Sequence, residues 1–217
     1  MNNATVELDF DRLVDCLRRD WQSKDADIDK IVKTMTEGFF ERDLTKLLFQ
    51  AFGYTDHLPF FVFAFLIDNA EYLQDNGIFE EAITNAYTMT EAIEDQDLVH
   101  NLFARHADID KLKKLSDQHD HTFPTTLYRG VKNTRANGIS WTGRIEVAAW
   151  FAQRNIYVEG TPRIYKVHAQ EDRVLYYTNG RKEDEFLLDT DGAIICDMGL
   201  TGSEIRDLAR RSGIQCA

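Results

Sequence analysis

The spacing of apolar residues changes near Pro124, and this change constrains the fold more than any other feature of the chain. Before it, apolar residues recur at three- and four-residue intervals, as at Phe10, Leu13 and Leu17, which is typical of amphipathic helices. After it, short stretches rich in β-branched and aromatic residues lie between turn residues, as in 163–169. The sequence therefore predicts an α+β fold in which an N-terminal helical bundle precedes a mainly antiparallel β-sheet domain.

A polar run at 116–125 marks the expected boundary between the two parts. The sequence thus predicts an acidic helical domain at 1–120 and a sheet domain at 121–217. Within the first, 58–73 is the most apolar helical stretch, and its phenylalanines surround the helix axis, so we expect it at the centre of the bundle. Within the second, the Asn179-Gly180 pair predicts a hairpin turn between two strands.

Acidic residues are concentrated in the helical part. Residues 1–120 carry 25 of the 37 Asp and Glu residues but only 12 of the 25 Lys and Arg residues, and the whole chain has a net charge of -12. Binding to nucleic acid depends on neutralising phosphates with basic side chains, so nucleic acid is not an expected partner. Two interpretations of the acidic helices stay open, a solvated surface and a docking face for a basic partner.

The sequence gives no sign of a membrane span or a metal site. Its longest apolar run, 58–67, has about ten residues, against the roughly 20 that a bilayer helix needs. The three cysteines have neither disulfide-type nor metal-type spacing, and the histidines match no metal-binding pattern. We therefore expect a cytoplasmic protein with free thiols and without a bound metal.

Three short motifs in the sheet domain carry the candidate chemistry. Arg129 ends an apolar strand and precedes Gly130; its planar guanidinium suits a phosphate, and the glycine lets a ligand approach the backbone. Ser140 and Thr142 stand two apart on a strand that leads into a predicted helix at 144–154, so both hydroxyls share one face. Taken alone, these hydroxyls are better explained by strand packing or helix capping.

The third motif is the pair Glu183 and Glu185, at the start of the apolar strand 185–188. Side chains two apart on a strand leave the same face, so both carboxylates can point into one cleft. Two close carboxylates resist ionising together unless a cation separates them, and Arg181 and Lys182 are adjacent in sequence. The alternative is a solvated hairpin tip.

Taken together, the strand with Arg-Gly, the strand with Ser-x-Thr followed by a helix, and the strand opened by Glu-x-Glu resemble the arginine-serine-glutamate class of mono-ADP-ribosyltransferases. The resemblance covers about 125–197 and implies an ADP-ribosyltransferase-like catalytic domain that uses NAD as substrate and no metal. Small members of this class with a helical N-terminal part occur among bacteriophage proteins that modify host proteins, and the layout of this chain resembles theirs. The resemblance therefore implies a protein acceptor, such as a host protein, modified at arginine.

The resemblance also assigns roles to individual residues. The catalytic glutamate would be Glu185, and Glu183 would assist transfer to arginine. The nicotinamide–ribose bond breaks with positive charge on the ribose, which a fixed carboxylate stabilises, and neutral nicotinamide leaves without a strong acid. Aromatic residues Trp141, Phe151 and Tyr157 are candidates to stack on nicotinamide, and core packing is the alternative role of Phe151. The remaining NAD-binding residues implied are Arg129, which is also assigned to the catalytic set, Gly130, Ser140 and Thr142.

Two other functions are compatible with the same residues. An NAD glycohydrolase would pass the ribose to water and would release nicotinamide without an acceptor. A non-catalytic interaction module would keep the fold, bind no NAD and use the acidic helices to bind a partner.

Overall fold

The computed structural model describes residues 8–21, 25–52, 59–90, 95–117, 123–132, 136, 138–154 and 160–214. The predicted stacking residue Tyr157 lies outside these residues. The chain divides into two compact units, Met1–Leu112 and Lys113–Ala217. The class predicted from the sequence, helices followed by an antiparallel sheet, is the class observed.

The first unit is helical. A π-helical segment, Leu102–His106, directly follows the helix that ends at Asn101. Among the described residues, no helix combines the length and apolar character needed to cross a membrane. The helices are α1 (Asp11–Trp21), α2 (Asp25–Glu41), α3 (Leu44–Phe52), α4 (Pro59–Asp68), α5 (Ala70–Asp75), α6 (Phe79–Met89), α7 (Gln96–Asn101) and α8 (Ile109–Leu115), the last of which crosses into the second unit.

Helix α4 lies at the centre of this bundle, as its composition predicts. Residues 62–66 are all at most 2% exposed, because apolar side chains surround the helix axis and every face can be covered. The predicted helix over 58–73 is, however, two helices, α4 and α5. Asn69 separates them, and its side-chain amide donates to the carbonyls of Phe65 and Asp9, so it binds backbone rather than extending the apolar surface.

The second unit is built on one sheet of six strands, which are β1 (Thr126–Lys132), β2 (Ser140–Thr142), β3 (Pro162–His168), β4 (Val174–Thr178), β5 (Glu185–Leu188) and β6 (Ile195–Asp197). Their order is β4-β5-β2-β1-β3-β6, and every neighbouring pair is antiparallel. The predicted hairpin connects β4 to β5, but its turn spans residues 179–184 and not Asn179-Gly180 alone. Two helices, α9 (Ile145–Arg154) and α10 (Gly202–Ala209), complete the unit.

The two faces of the sheet bury different side chains. One face carries an apolar cluster that includes Leu127, Trp141 and Phe186. On the other, Ile164 packs with alanines of α9 and with Ile205 of α10. Because strand side chains alternate, Ser140 and Thr142 lie on the face opposite to Trp141.

The link to the sheet begins earlier than the predicted boundary at 120. Ser116 accepts a hydrogen bond from the amide of Tyr177, and Asp117 accepts from the side chain of Thr178 and the amide of Asn179. These bonds join residues 116 and 117 to β4 within the sheet unit. The polar run 116–125, which suggested the boundary near 120, therefore begins with residues that are part of that unit.

Candidate active site

The turn before β5 brings two acidic side chains together. Lys182 and Asp184 have positive φ angles of 60° and 50°, so the backbone turns sharply on each side of Glu183. Glu183 therefore precedes the strand, and Glu185 is its first residue. Despite this, the two carboxylates converge, and the residues are only 6% and 5% exposed.

Arg181 bridges the two carboxylates. Its Nε lies 3.1 Å from Glu183 Oε2, and its Nη2 lies 3.1 Å from Glu185 Oε2. A cation between two buried carboxylates offsets their mutual repulsion and the loss of their hydration. The pair is thus a compact ionic site and not a solvated hairpin tip.

Ser140 holds the second carboxylate from the neighbouring strand. Strand β2 pairs with β5 so that Thr142 is opposite Glu185 and Ser140 is opposite Leu187. From there the Ser140 hydroxyl donates a hydrogen bond of 2.5 Å to Glu185 Oε1. Glu185 is therefore fixed through one oxygen by Ser140 and through the other by Arg181.

Thr142 has a structural role at the same site. Its hydroxyl donates to the carbonyl of Glu183 at 2.8 Å and accepts from the amide of Arg144 at 3.2 Å. The residue is 5% exposed. The Thr142 hydroxyl thus connects the turn that carries Glu183 to the residue that precedes α9, and both of its bonds are to main-chain groups.

The intervening acid, Asp184, points away from this cluster. Its Oδ1 accepts a hydrogen bond of 3.0 Å from the Tyr177 hydroxyl, and its amide donates to the Asn179 side chain. The sequence alone does not distinguish Asp184 from its two neighbouring glutamates as a member of the site. The hydrogen bonds assign Glu183 and Glu185 to one cluster and Asp184 to another.

Burial raises the pKa of two groups at the site. It raises the pKa of Glu183, as does the charge of Glu185, while Arg181 and Arg154 act in the opposite direction. Burial also raises the pKa of Tyr176, and Glu185 contributes to that shift. Glu183 is therefore a better proton acceptor than an ordinary surface glutamate.

Arg129 is attached to the site through main chain. Its Nη1 donates to the carbonyl of Ser140 at 2.8 Å, and its guanidinium lies where a side chain on Gly138 would stand. Strand alternation puts it on the face of Leu127, opposite to Glu185. Ser140 therefore links the two groups, binding Arg129 through its carbonyl and Glu185 through its hydroxyl.

Gly130 is required for a reason other than the one inferred from sequence. A Cβ at this position would lie 1.6 Å from the carbonyl oxygen of Ala148 and 2.9 Å from the amide of Ala152. The absent side chain makes room for α9 and not for a ligand. Close packing of helix on strand explains the glycine.

The candidate aromatic residues have different environments. Trp141 is 1% exposed in the core of the sheet, and its Nε1 donates to the carbonyl of Gly138, which does not fit the expectation that its ring stacks on nicotinamide. Phe151 is half-buried on α9, with its ring edge-on to Trp150 at 5.0 Å between centroids. Arg154 covers the Trp150 ring at 5.1 Å. Phe151 is thus the more accessible of the two predicted residues.

The structure adds side chains that the sequence motifs did not single out as parts of the site. Arg181 was noted only as a neighbour in sequence, although its i,i+4 spacing to Glu185 is a signal for an ion pair. The charge of Arg154 acts to lower the pKa of Glu183, and the charge of Glu185 acts to raise the pKa of Tyr176. No sequence motif points to Arg154 or Tyr176.

Comparison with known proteins gave no match among protein-family models, curated proteins or solved structures. The function is therefore inferred from the chemistry of the site.

Proposed function

We propose that this chain is an NAD-dependent mono-ADP-ribosyltransferase that transfers ADP-ribose to arginine side chains of a protein. The observation that carries the proposal is the fixed carboxylate of Glu185, buried and bonded on one side to Ser140 and on the other to Arg181. The second glutamate, Glu183, lies on the same guanidinium.

The residues fit NAD in their chemistry. A carboxylate beside a hydroxyl suits the hydroxyls and the developing positive charge of a ribose, so Glu185 would stabilise that charge and Ser140 would keep the carboxylate oriented. Arg129 lies on the opposite face of the sheet from Glu185 and would act on the site through its bond to the Ser140 carbonyl. Bound NAD would supply a ribose whose bond to nicotinamide can break. Phe151 is a half-buried aromatic residue of α9, and we assign it to the nicotinamide side.

Glu183 suits the acceptor. A guanidinium is protonated at neutral pH and must lose a proton to act as a nucleophile. A buried carboxylate with a raised pKa is a suitable base, and this one already binds a guanidinium, that of Arg181. An arginine acceptor thus agrees with the charge and geometry of the turn.

The test is incubation of the purified protein with labelled NAD and a cell lysate, beside Glu185→Gln. Label on discrete proteins that disappears in the variant, with arginine as the modified residue, would support the proposal. Nicotinamide release that is fast without acceptor and leaves no label would instead assign an NAD glycohydrolase. Absence of both label and release would leave a binding module.

A further inference from the structure

The site contains an arginine in the position that the proposed function requires of an acceptor. Arg181 contacts Glu183 and Glu185 with two different guanidinium nitrogens, each at 3.1 Å. We propose that Arg181 is a self-modification site, to which the enzyme transfers ADP-ribose within its own chain. This inference rests on the proposed function and adds a specific acceptor to it.

The turn keeps Arg181 close to the glutamates. The amide of Lys182 donates to the carbonyl of Asn179 at 2.9 Å, and the amide of Asn179 donates to Asp117 at 2.7 Å. The Asn179 side chain in turn accepts from the amide of Asp184. Arg181 therefore remains at the site without an entropic cost of association, which favours it over a free acceptor.

Other arginines of the sheet unit contact other groups. Arg144 donates to the carbonyl of Ser212. Arg163 of β3 pairs with Asp197 of β6, at the end of the sheet opposite to β4 and β5. The side chain of Arg181 is 36% exposed, so an incoming ligand can reach it. It thus combines contact with both carboxylates and access from solvent.

The reaction balances without a further reactant. The bond between the ribose carbon and the nicotinamide nitrogen breaks, and its electron pair leaves with neutral nicotinamide. A guanidinium nitrogen of Arg181 gives its electron pair to the same ribose carbon, and its proton goes to Glu183. The products are nicotinamide, an N-linked ADP-ribosyl arginine and a protonated Glu183, which returns the proton to solvent.

Modification at Arg181 limits itself. An ADP-ribosyl group on this side chain occupies the space where a second acceptor guanidinium would have to meet Glu183. We therefore expect labelling to stop at one group per chain, and transfer to a protein acceptor to slow as the chain becomes labelled. Because the catalytic glutamates and the acceptor Arg181 belong to one chain, the half-time of labelling at saturating NAD should not depend on protein concentration.

The experiment is incubation of the full chain with NAD alone, followed by peptide mapping by mass spectrometry. We expect ADP-ribose on the peptide that contains Arg181 and its loss in Arg181→Lys, which keeps the charge but removes the guanidinium. Arg163→Lys is the matched control, because it changes an exposed arginine of another ion pair, and it should retain the label. Mapping of the unaltered chain gives the answer even if the lysine variant does not fold.

A free guanidino compound, agmatine, separates failure of this inference from failure of the proposed function. Transfer to agmatine with label at Arg154 or elsewhere, or with no label on the chain, would overturn Arg181 as acceptor and leave the transferase intact. Labelling that accelerates with protein concentration would overturn the intramolecular reaction. If neither agmatine nor the chain is labelled, both proposals are overturned.

Discussion

The Ser140 hydroxyl donates a hydrogen bond of 2.5 Å to Oε1 of Glu185, across the pairing of β2 with β5. The bond links residues that are 45 positions apart in the chain. It leaves the second carboxylate oxygen to Arg181 and fixes the plane of the carboxylate. In the proposed reaction this arrangement keeps negative charge beside the ribose before the bond breaks, so little reorganisation is needed.

Replacing Glu185 with Gln should abolish most turnover while NAD binding persists, because the amide preserves shape and removes charge. We expect nicotinamide release to fall about a hundredfold to a thousandfold, as when a preorganised electrostatic group is removed from other active sites. Asp184→Asn is the matched control, since it neutralises the adjacent acid, which bonds to Tyr177 instead. Full activity in Glu185→Gln would exclude Glu185 as the catalytic residue.

Replacing Ser140 with Ala should slow the same reaction less severely. A hydrogen bond to a charged group contributes about 1.5–3 kcal/mol, which corresponds to about a tenfold to a hundredfold change in rate. The loss should appear in kcat with little change in KM for NAD, because Ser140 acts through Glu185. Ser140→Thr keeps the hydroxyl and should restore part of the rate; if it is as slow as Ser140→Ala, the hydrogen bond is not the cause.

Replacing Glu183 with Gln should lower transfer to protein more than hydrolysis of NAD. Glu183 contacts the guanidinium of Arg181 and has a raised pKa, both of which suit the acceptor step and not the cleavage step. The measurement is the ratio of labelled protein to released nicotinamide, in the variant and in the unaltered chain. Equal losses of the two products would show that Glu183 does not face the acceptor.

Several features of this fold and site can be predicted from the sequence because they depend on the local spacing of residues. The alternation of Ser140 and Thr142 on one strand follows from residue type and period and agrees with the structure. The hairpin between β4 and β5 is also as predicted, but its turn spans residues 179–184 instead of Asn179-Gly180 alone. The apolar composition of α4 likewise predicts its burial, since a helix without a polar face must be covered.

Features that depend on packing across the sheet could not be predicted from the sequence. Trp141 is buried by side chains of other strands, so its sequence neighbours give no indication of its exposure. Gly130 is fixed by α9, which lies fifteen or more residues away in the chain. Lys182 and Asp184 have positive φ angles, so Glu183 lies in a turn and not on the strand. Strand alternation therefore predicts that the two carboxylates lie together, but it is not the reason that they do.

The stability of the protein should reflect the raised pKa of Glu183. A carboxyl group that binds its proton more tightly in the folded state favours folding at low pH, and this contribution is lost as pH rises from about 4.3 through the higher folded pKa. Glu183→Gln should therefore gain stability relative to the unaltered chain at neutral pH and lose that advantage near about pH 4. Urea unfolding at both pH values measures the difference; a gain that is independent of pH would not come from titration of Glu183.

Replacing Gly130 with Ala should destabilise the sheet unit. The added Cβ would overlap the carbonyl oxygen of Ala148, so α9 must move away from β1, and overpacking of this kind costs about 1–3 kcal/mol. Gly202→Ala is the matched control, because a Cβ there meets only the end of the Arg206 side chain at 3.9 Å, and alanine favours the helix that begins at this residue. Thermal unfolding should show a lower Tm for Gly130→Ala and an unchanged or higher Tm for Gly202→Ala. An unchanged Tm in Gly130→Ala would mean that α9 does not pack against β1 as closely as described, and that position 130 is available to a ligand after all.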